Sequence, residues 1–241
     1  MSELTWWRPY RAVEDVDVLA VDLSSSRERE AFALGLIDRG EMERYKKFLV
    51  DGARRQFLLS RAAVRMALAD RLGCAPTELA FEAGENGKPH ALLNQKPAPI
   101  SFNVSHSGIF GLLAISPARV VGVDVEERRD RIDLDGVAKQ VFAASEKDSL
   151  ARLEQSEKRA LFFRLWTLKE ALIKAKGTGF HYNPARFAVP DDVLAGADRG
   201  LFAFAEEAEP RWELFDLGCK DFAAALAIAL PDDSRSGSSP T

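Results

Sequence analysis

Twice along this chain a long helical pattern stops at a glycine and gives way to short β-like runs, and that repeat limits the possible folds more than any other feature. Residues 25–50 are charged and periodic, which predicts two short helices broken near Gly40. A long helix is expected over 53–72, with Gly73 as its C-cap and Pro76 just beyond. The runs 79–81, 100–104, 109–115 and 120–125 then read as strands, like 16–23 ahead of the helices. The order recurs: two short helices within 133–155, a long helix over 157–176 ended at Gly177, and strands at 187–189, 201–204, 212–217 and 222–230. The repetition lies in element order, not in residue identity. It predicts an α+β fold of two similar subdomains, 1–119 and 120–231, each a long helix on a small antiparallel sheet. A Ser-, Gly- and Pro-rich flexible tail is expected over 232–241. The cleft between two such halves is the natural place for a ligand.

Apolar residues make up 46% of the chain and charged residues 29%, enough of each for a water-soluble domain with a real core. A formal net charge of −4 argues against a protein that coats nucleic acid through bulk charge, so any anion site must come from locally placed Lys and Arg. Cys74 and Cys219, far apart and without metal-ligand spacing, read as free thiols in a reducing cytoplasm. The first residues lack the basic-then-apolar pattern of a secretory signal. No segment approaches the ~18–20 apolar residues of a membrane helix. Cytoplasmic, with no membrane and no nucleic-acid partner, is the expectation.

Four segments carry the chemistry. In Val121-Gly-Val-Asp-Val-Glu126 the alternation of a strand puts Asp124 and Glu126 on one face and Val123 and Val125 in the core. Gly122 leaves room for a ligand or another backbone. Paired carboxylates repel unless a cation lies between them, and all-oxygen ligands suit Mg²⁺; a strand end aiming its acids into water is the competing structural reading. On the helix 157–176, Leu161, Leu165, Leu168 and Leu172 form a core stripe, and Trp166, Glu170 and Lys174 fall opposite, one turn apart. An ordinary solvated Glu–Lys pair would look the same. Lys169, Lys174 and Lys176 precede a Gly177-Thr-Gly179 loop, which also suits a helix C-terminus. Ser101–Gly108 runs from an apolar strand into a polar turn, where Ser105, His106 and Ser107 can meet phosphate oxygens. Ser105 and His106 point to opposite faces of a strand, which argues against a nucleophile–base dyad. Gly84-Glu-Asn-Gly87-Lys88-Pro89 holds Lys88 at a loop tip. Upstream, Arg44, Lys46, Lys47, Arg54, Arg55, Arg61 and Arg65 form a basic cluster in an acidic chain.

In this order and spacing, Gly87-Lys-Pro89, Phe102-Asn-Val-Ser-His-Ser107, Gly122-Val-Asp-Val-Glu126 and Trp166-Thr-Leu-Lys-Glu-Ala-Leu-Ile-Lys174 with Gly177-Thr-Gly179 resemble the Sfp-type 4′-phosphopantetheinyl transferases. The resemblance runs from about Ala53 to Phe187. It implies the fold of that family, two α+β halves related by a pseudo-two-fold axis with coenzyme A between them; because one chain would supply both walls of that cleft, a monomer is expected. It implies transfer of 4′-phosphopantetheine from coenzyme A to a serine of an apo carrier protein, with release of 3′,5′-ADP. By the same resemblance Asp124, Glu126 and Glu170 would hold Mg²⁺, or Mn²⁺, which accepts the same ligands. Asp124, Glu170 and Lys174 would be the catalytic residues, with Lys174 on the pyrophosphate; the candidate general base is Glu170 or a metal-bound water next to it. Asp124, Lys169 and Lys174 would lie along the coenzyme A, Ser105 and His106 on its phosphates, and Lys88 and Pro89 beside them. Arg44 and Arg55 would hold nucleotide phosphates, and His181 has no role. The competing readings are a Mg²⁺-dependent nucleotide phosphohydrolase, which would release product without a protein acceptor, and a non-catalytic binding module, which would bind without turnover.

Overall fold

The computed structural model describes residues 5–84, 87–128, 132–179, 182–209 and 211–231. The expected tail over 232–241 and His181 lie outside the described residues. In the first half, β1 (Trp7–Val13) and β2 (Val16–Asp22) lead into α1 (Arg27–Leu34), α2 (Arg39–Lys46) and α3 (Asp51–Leu72). There follow β3 (Leu79–Ala83), β4 (Pro89–Leu93), β5 (Lys96–Pro97), β6 (Ser101–Ser107) and β7 (Phe110–Ser116). The second half runs β8 (Val121–Glu127), α4 (Leu134–Val141), α5 (Ala144–Ala151), α6 (Gln155–Lys176), α7 (Asp191–Leu194), β9 (Arg199–Phe202), β10 (Trp212–Asp216) and β11 (Phe222–Ala229).

Two four-stranded sheets result, ordered β1-β2-β7-β6 and β8-β11-β10-β9, with β3-β4-β5 as a small third sheet. The strand pairs are antiparallel throughout. Helix α3 covers the first sheet, burying Leu58, Leu59 and Leu68 against Val21, Leu113 and Ile115. Helix α6 covers the second, burying Leu165, Leu168 and Leu172 against Ala223, Ala225 and Ala227. Each such leucine contributes about 1.5–3 kcal/mol. The opposite faces meet in a third core, where Val16, Val18, Leu112 and Ala114 pack on Val123, Val125, Leu226 and Ile228. The halves are thus welded by apolar side chains contributed from both.

The repeat extends to single residues. Both long helices end at a glycine with positive φ, 64° at Gly73 and 73° at Gly177, a region open to glycine at little steric cost. Eight residues before each lies a buried cation. Arg65 of α3 donates to Glu41 of α2 at 2.6 Å and to the carbonyls of Pro76 and Leu79. Lys169 of α6 pairs with Glu146 of α5 at 2.9 Å and donates to the carbonyls of Pro184 and Phe187. Glu41 and Glu146 each also accept the N–H at the start of their own helix. The two halves use one brace twice.

Several sequence expectations shift. The break between α1 and α2 falls at residues 35–38, because Asp38 caps α2 through the N–H of Glu41 and places Gly40 inside the helix. The run 187–189 is not a strand; its backbone instead binds the brace, through the Phe187 carbonyl and the Val189 N–H. Strands β1 and β4 carry polar residues and Pro and gave no alternating signal.

Candidate active site

The site forms where β6 and β8, the edge strands of the two sheets, lie side by side. Asn103 Oδ1 accepts the Val123 N–H at 2.8 Å, Ser105 Oγ donates to Asp124 Oδ1 at 2.7 Å, and Ser107 Oγ donates to Glu126 Oε2 at 2.6 Å. The period of two on β6 thus matches the period of two on β8. Gly122 shares the face of Asp124 and Glu126, and a Cβ there would stand 2.1 Å from the Ala171 carbonyl oxygen and 2.4 Å from the Ala175 nitrogen. Its missing side chain lets α6 press onto β8. That close approach carries Lys174 to Asp124 Oδ1 at 2.6 Å and to Ser105 Oγ at 2.8 Å. Gly122→Ala is therefore expected to lower the unfolding free energy by about 2–3 kcal/mol, measured by urea denaturation.

Trp166, Glu170 and Lys174 do not face bulk water. They are part-buried and turned towards the β8 acids. Burial, then the charges of Asp124 and Glu126, raise the Glu170 carboxyl above its usual range, with Lys174 opposing. Burial and Asp124 likewise raise Glu126, against hydrogen bonds from Ser107 and Trp166 and the charge of Lys174. A carboxyl raised in the folded state adds stability below its unfolded pKa and loses it as pH rises through the folded value. In the metal-free protein, Glu170→Gln should raise the melting temperature at pH 7. That gain should shrink as pH falls towards about 4, which a pH series of thermal melts checks.

Asp124, 3% exposed, keeps Oδ2 buried without a hydrogen-bond partner. An orphaned carboxylate oxygen near two further carboxylates, all hard oxygen donors, suits a small divalent cation. The fit is not a closed cage: no three His, Cys, Asp or Glu side chains among the described residues already gather around one point. Lys174 now holds the Oδ1 side of Asp124.

The remaining sequence candidates separate. His106 points to the other face of β6 from Ser105 and lines a cavity of about 390 Å³ together with Arg44 and Pro89. Burial and the Lys174 charge lower its pKa, so it is neutral at pH 7. Arg44 stacks over Phe57, 5.2 Å from the ring centroid. Arg55 does not line this cavity and is paired with Glu30 at 3.2 Å. Lys88 is not at an open loop tip: its ammonium crosses to the second half, donating to the carbonyls of Val121 at 2.9 Å and Ala175 at 3.2 Å. Burial without a carboxylate partner lowers its pKa to about 8. Lys169, expected along the ligand, is instead 1% exposed and committed to Glu146. Ser107, expected from the sequence among the groups that meet phosphate oxygens, instead donates to Glu126, and Asn103, given no role there, joins the same row; their alternation with Ser105 was the available signal.

Comparison with known proteins accords with this geometry. A family model described as the 4′-phosphopantetheinyl transferase superfamily matches residues 120–227, and one described as 4′-phosphopantetheinyl transferase, N-terminal, matches residues 24–118. A putative 4′-phosphopantetheinyl transferase of Synechocystis sp. is 36% identical over 160 residues, 66% of this chain and 64% of that protein. The chain thus matches a little under two thirds of that relative's length. The 4′-phosphopantetheinyl transferase HetI of Nostoc sp. is 29% identical over 217 residues, 90% of this chain and 88% of that protein. The 4′-phosphopantetheinyl transferase Sfp of Bacillus subtilis is 28% identical over 165 residues, 68% of this chain and 70% of that protein. With two adjacent family models covering both halves, the chain belongs to the 4′-phosphopantetheinyl transferase superfamily.

Proposed function

We propose that this chain transfers 4′-phosphopantetheine from coenzyme A to a serine of an apo carrier protein, releasing 3′,5′-ADP. The observation that carries the reading is the convergence of Lys174, Ser105 and Asp124, with Asp124 and Glu126 both close enough to act on the ionisation of Glu170. A diphosphate is an anion that repels a nucleophile, and its cleavage builds charge on the leaving oxygen. The site supplies a cation in direct contact with one of three neighbouring acids. In the cavity of about 390 Å³, Arg44 and His106 would receive the nucleotide end. Lys174 lines a neighbouring cavity that shares Gly87, Pro89 and Val104 with this one, so the diphosphate would lie between the two.

The carrier serine oxygen forms the new bond to the phosphorus that bears pantetheine, and the bond to the nucleotide-side phosphate oxygen breaks. Glu170, which faces the other two acids from α6, takes the serine proton. Lys174 then compensates the charge on the departing oxygen. Asp124, Glu126 and Glu170 would hold Mg²⁺, which when bound supplies positive charge to the diphosphate oxygens. Ser105 and Ser107 fix the orientation of two of those acids.

The test is intact-mass spectrometry of several apo carriers incubated with the protein, coenzyme A and Mg²⁺. A gain equal to one phosphopantetheine on at least one carrier is expected. Unmodified carriers throughout, with coenzyme A cleaved or merely bound, would replace the transferase reading by a hydrolase or a binding module.

A further inference from the structure

Lys88 lies on the seam between the halves and has no carboxylate partner among the described residues. Its Nζ donates to the carbonyls of Val121 on β8 and Ala175 on α6. On one side it lines a cavity of about 210 Å³ shared with Lys174. On the other it lines a cavity of about 480 Å³ shared with His90, Ser101 and Lys176. That larger cavity sits at the Ser101 end of β6 and has no part in the site described above. The other charged groups around Lys88 are engaged elsewhere, Lys174 with Asp124 and Lys176 with Glu206, and His90 stands 3.7 Å from Glu82.

Two hydrogen bonds fix the orientation of such an amine. An ammonium has three hydrogens, whereas the neutral amine has two and a lone pair. With both carbonyls served, the third position on Nζ has no partner among the described residues, and in the neutral form that position is the lone pair. Burial disfavours the charged form and lowers the pKa to about 8, against ~10.4 for a free lysine. At pH 8 about half of Lys88 is therefore neutral, where an ordinary exposed lysine is neutral only to a fraction of a percent.

We propose that Lys88 is a site of covalent acylation, at which an acyl thioester entering the larger cavity transfers its acyl group to Nζ. The nitrogen lone pair adds to the thioester carbonyl carbon and the C–N bond forms. The C–S bond then breaks, and the departing thiolate takes up the proton that the nitrogen loses. A lysine desolvated in this way is a nucleophile near neutral pH. The amide that results keeps one N–H and no charge, so one of the two carbonyls across the seam loses its donor. Acylation thus loosens a polar contact between the halves.

The experiment exposes the full chain briefly to S-acetyl-N-acetylcysteamine, a small acetyl thioester, across a pH series, and follows each lysine by peptide mass spectrometry. Lys96 and Lys139, both exposed, serve as references. Lower basicity makes an amine less nucleophilic, which offsets part of the gain in neutral fraction and leaves an advantage of about tenfold. Lys88 is therefore expected to gain acetyl about tenfold faster than either reference at pH 7.5. Its rate should be half-maximal near pH 8, where the references are still climbing. In urea-unfolded chain the advantage should vanish, because it comes from the fold and not from the neighbouring sequence. A Lys88 that stays unlabelled, that reacts no faster than the references, or that keeps its advantage in urea overturns the proposal. The probe carries no nucleotide and the assay contains no carrier, so the result is independent of the transferase reading, which carrier loading tests alone.

Discussion

Asp124→Asn is expected to lower kcat/KM for carrier loading about 10²–10³-fold, with little change in melting temperature. The variant keeps the size of the side chain and an oxygen that can still accept from Ser105 and Lys174. It removes the one charge that faces all the other groups of the site. Lys174 then lacks its counter-ion at 2.6 Å, and the buried Oδ2, the best-placed free donor for a divalent ion, is gone. Alanine would be a poorer probe, because it would leave both the Lys174 ammonium and the Ser105 hydroxyl without their partner. Steady-state loading at saturating and limiting coenzyme A checks the prediction. A loss confined to KM would place Asp124 in binding and not in the transfer step.

Lys169→Met should cost about 3–5 kcal/mol of stability, because it strands the Glu146 carboxylate in an apolar core. Glu146 is fully buried, and the carbonyls of Pro184 and Phe187 lose their donor at the same time. Against a total of about 5–15 kcal/mol for a typical protein, such a loss takes much of the margin. Adding Glu146→Gln should recover part of it, since the unpaired charge is then removed. Denaturant unfolding of the single and double variants measures both effects. At a temperature where Lys169→Met stays folded, its affinity for coenzyme A should match the wild type. A selective loss of affinity would return Lys169 to the binding site suggested by its neighbours in sequence.

The case of Lys169 shows what a linear pattern can and cannot convey. Trp166, Lys169, Glu170 and Lys174 lie on three turns of one helix, and the residue spacing alone suits all of them to one site. The structure sends Lys169 to the opposite side, because α5 offers Glu146 there. The partner lies 23 residues away, and no local spacing announces it. Lys88 is similar: a turn sequence predicts exposure, but the carbonyls that receive its ammonium belong to the other half.

What was legible followed from short-range periodicity. The alternation through Gly122, Asp124 and Glu126 set the acids on one face, and the glycines after each long helix marked its end. The doubled element order gave the two-half architecture. The depth of that doubling, down to Arg65 and Lys169, was hidden because the fold asks only for a buried cation and accepts either. At the positions equivalent to Asp124 and Glu126 by strand register, the first half has Leu19 and Val21, packed in its core. The acids are therefore additions to an architecture that is built elsewhere without them.

The account rests on three carboxylates, two from β8 and one from α6, receiving a single divalent ion beside the donor diphosphate. Electron paramagnetic resonance of added Mn²⁺ counts free and bound ion directly, with coenzyme A present and no carrier, so turnover plays no part. One ion per chain is predicted for the wild type, with affinity at least about tenfold weaker in Asp124→Asn and in Glu170→Gln. Binding that is unchanged in both variants would contradict the shared site.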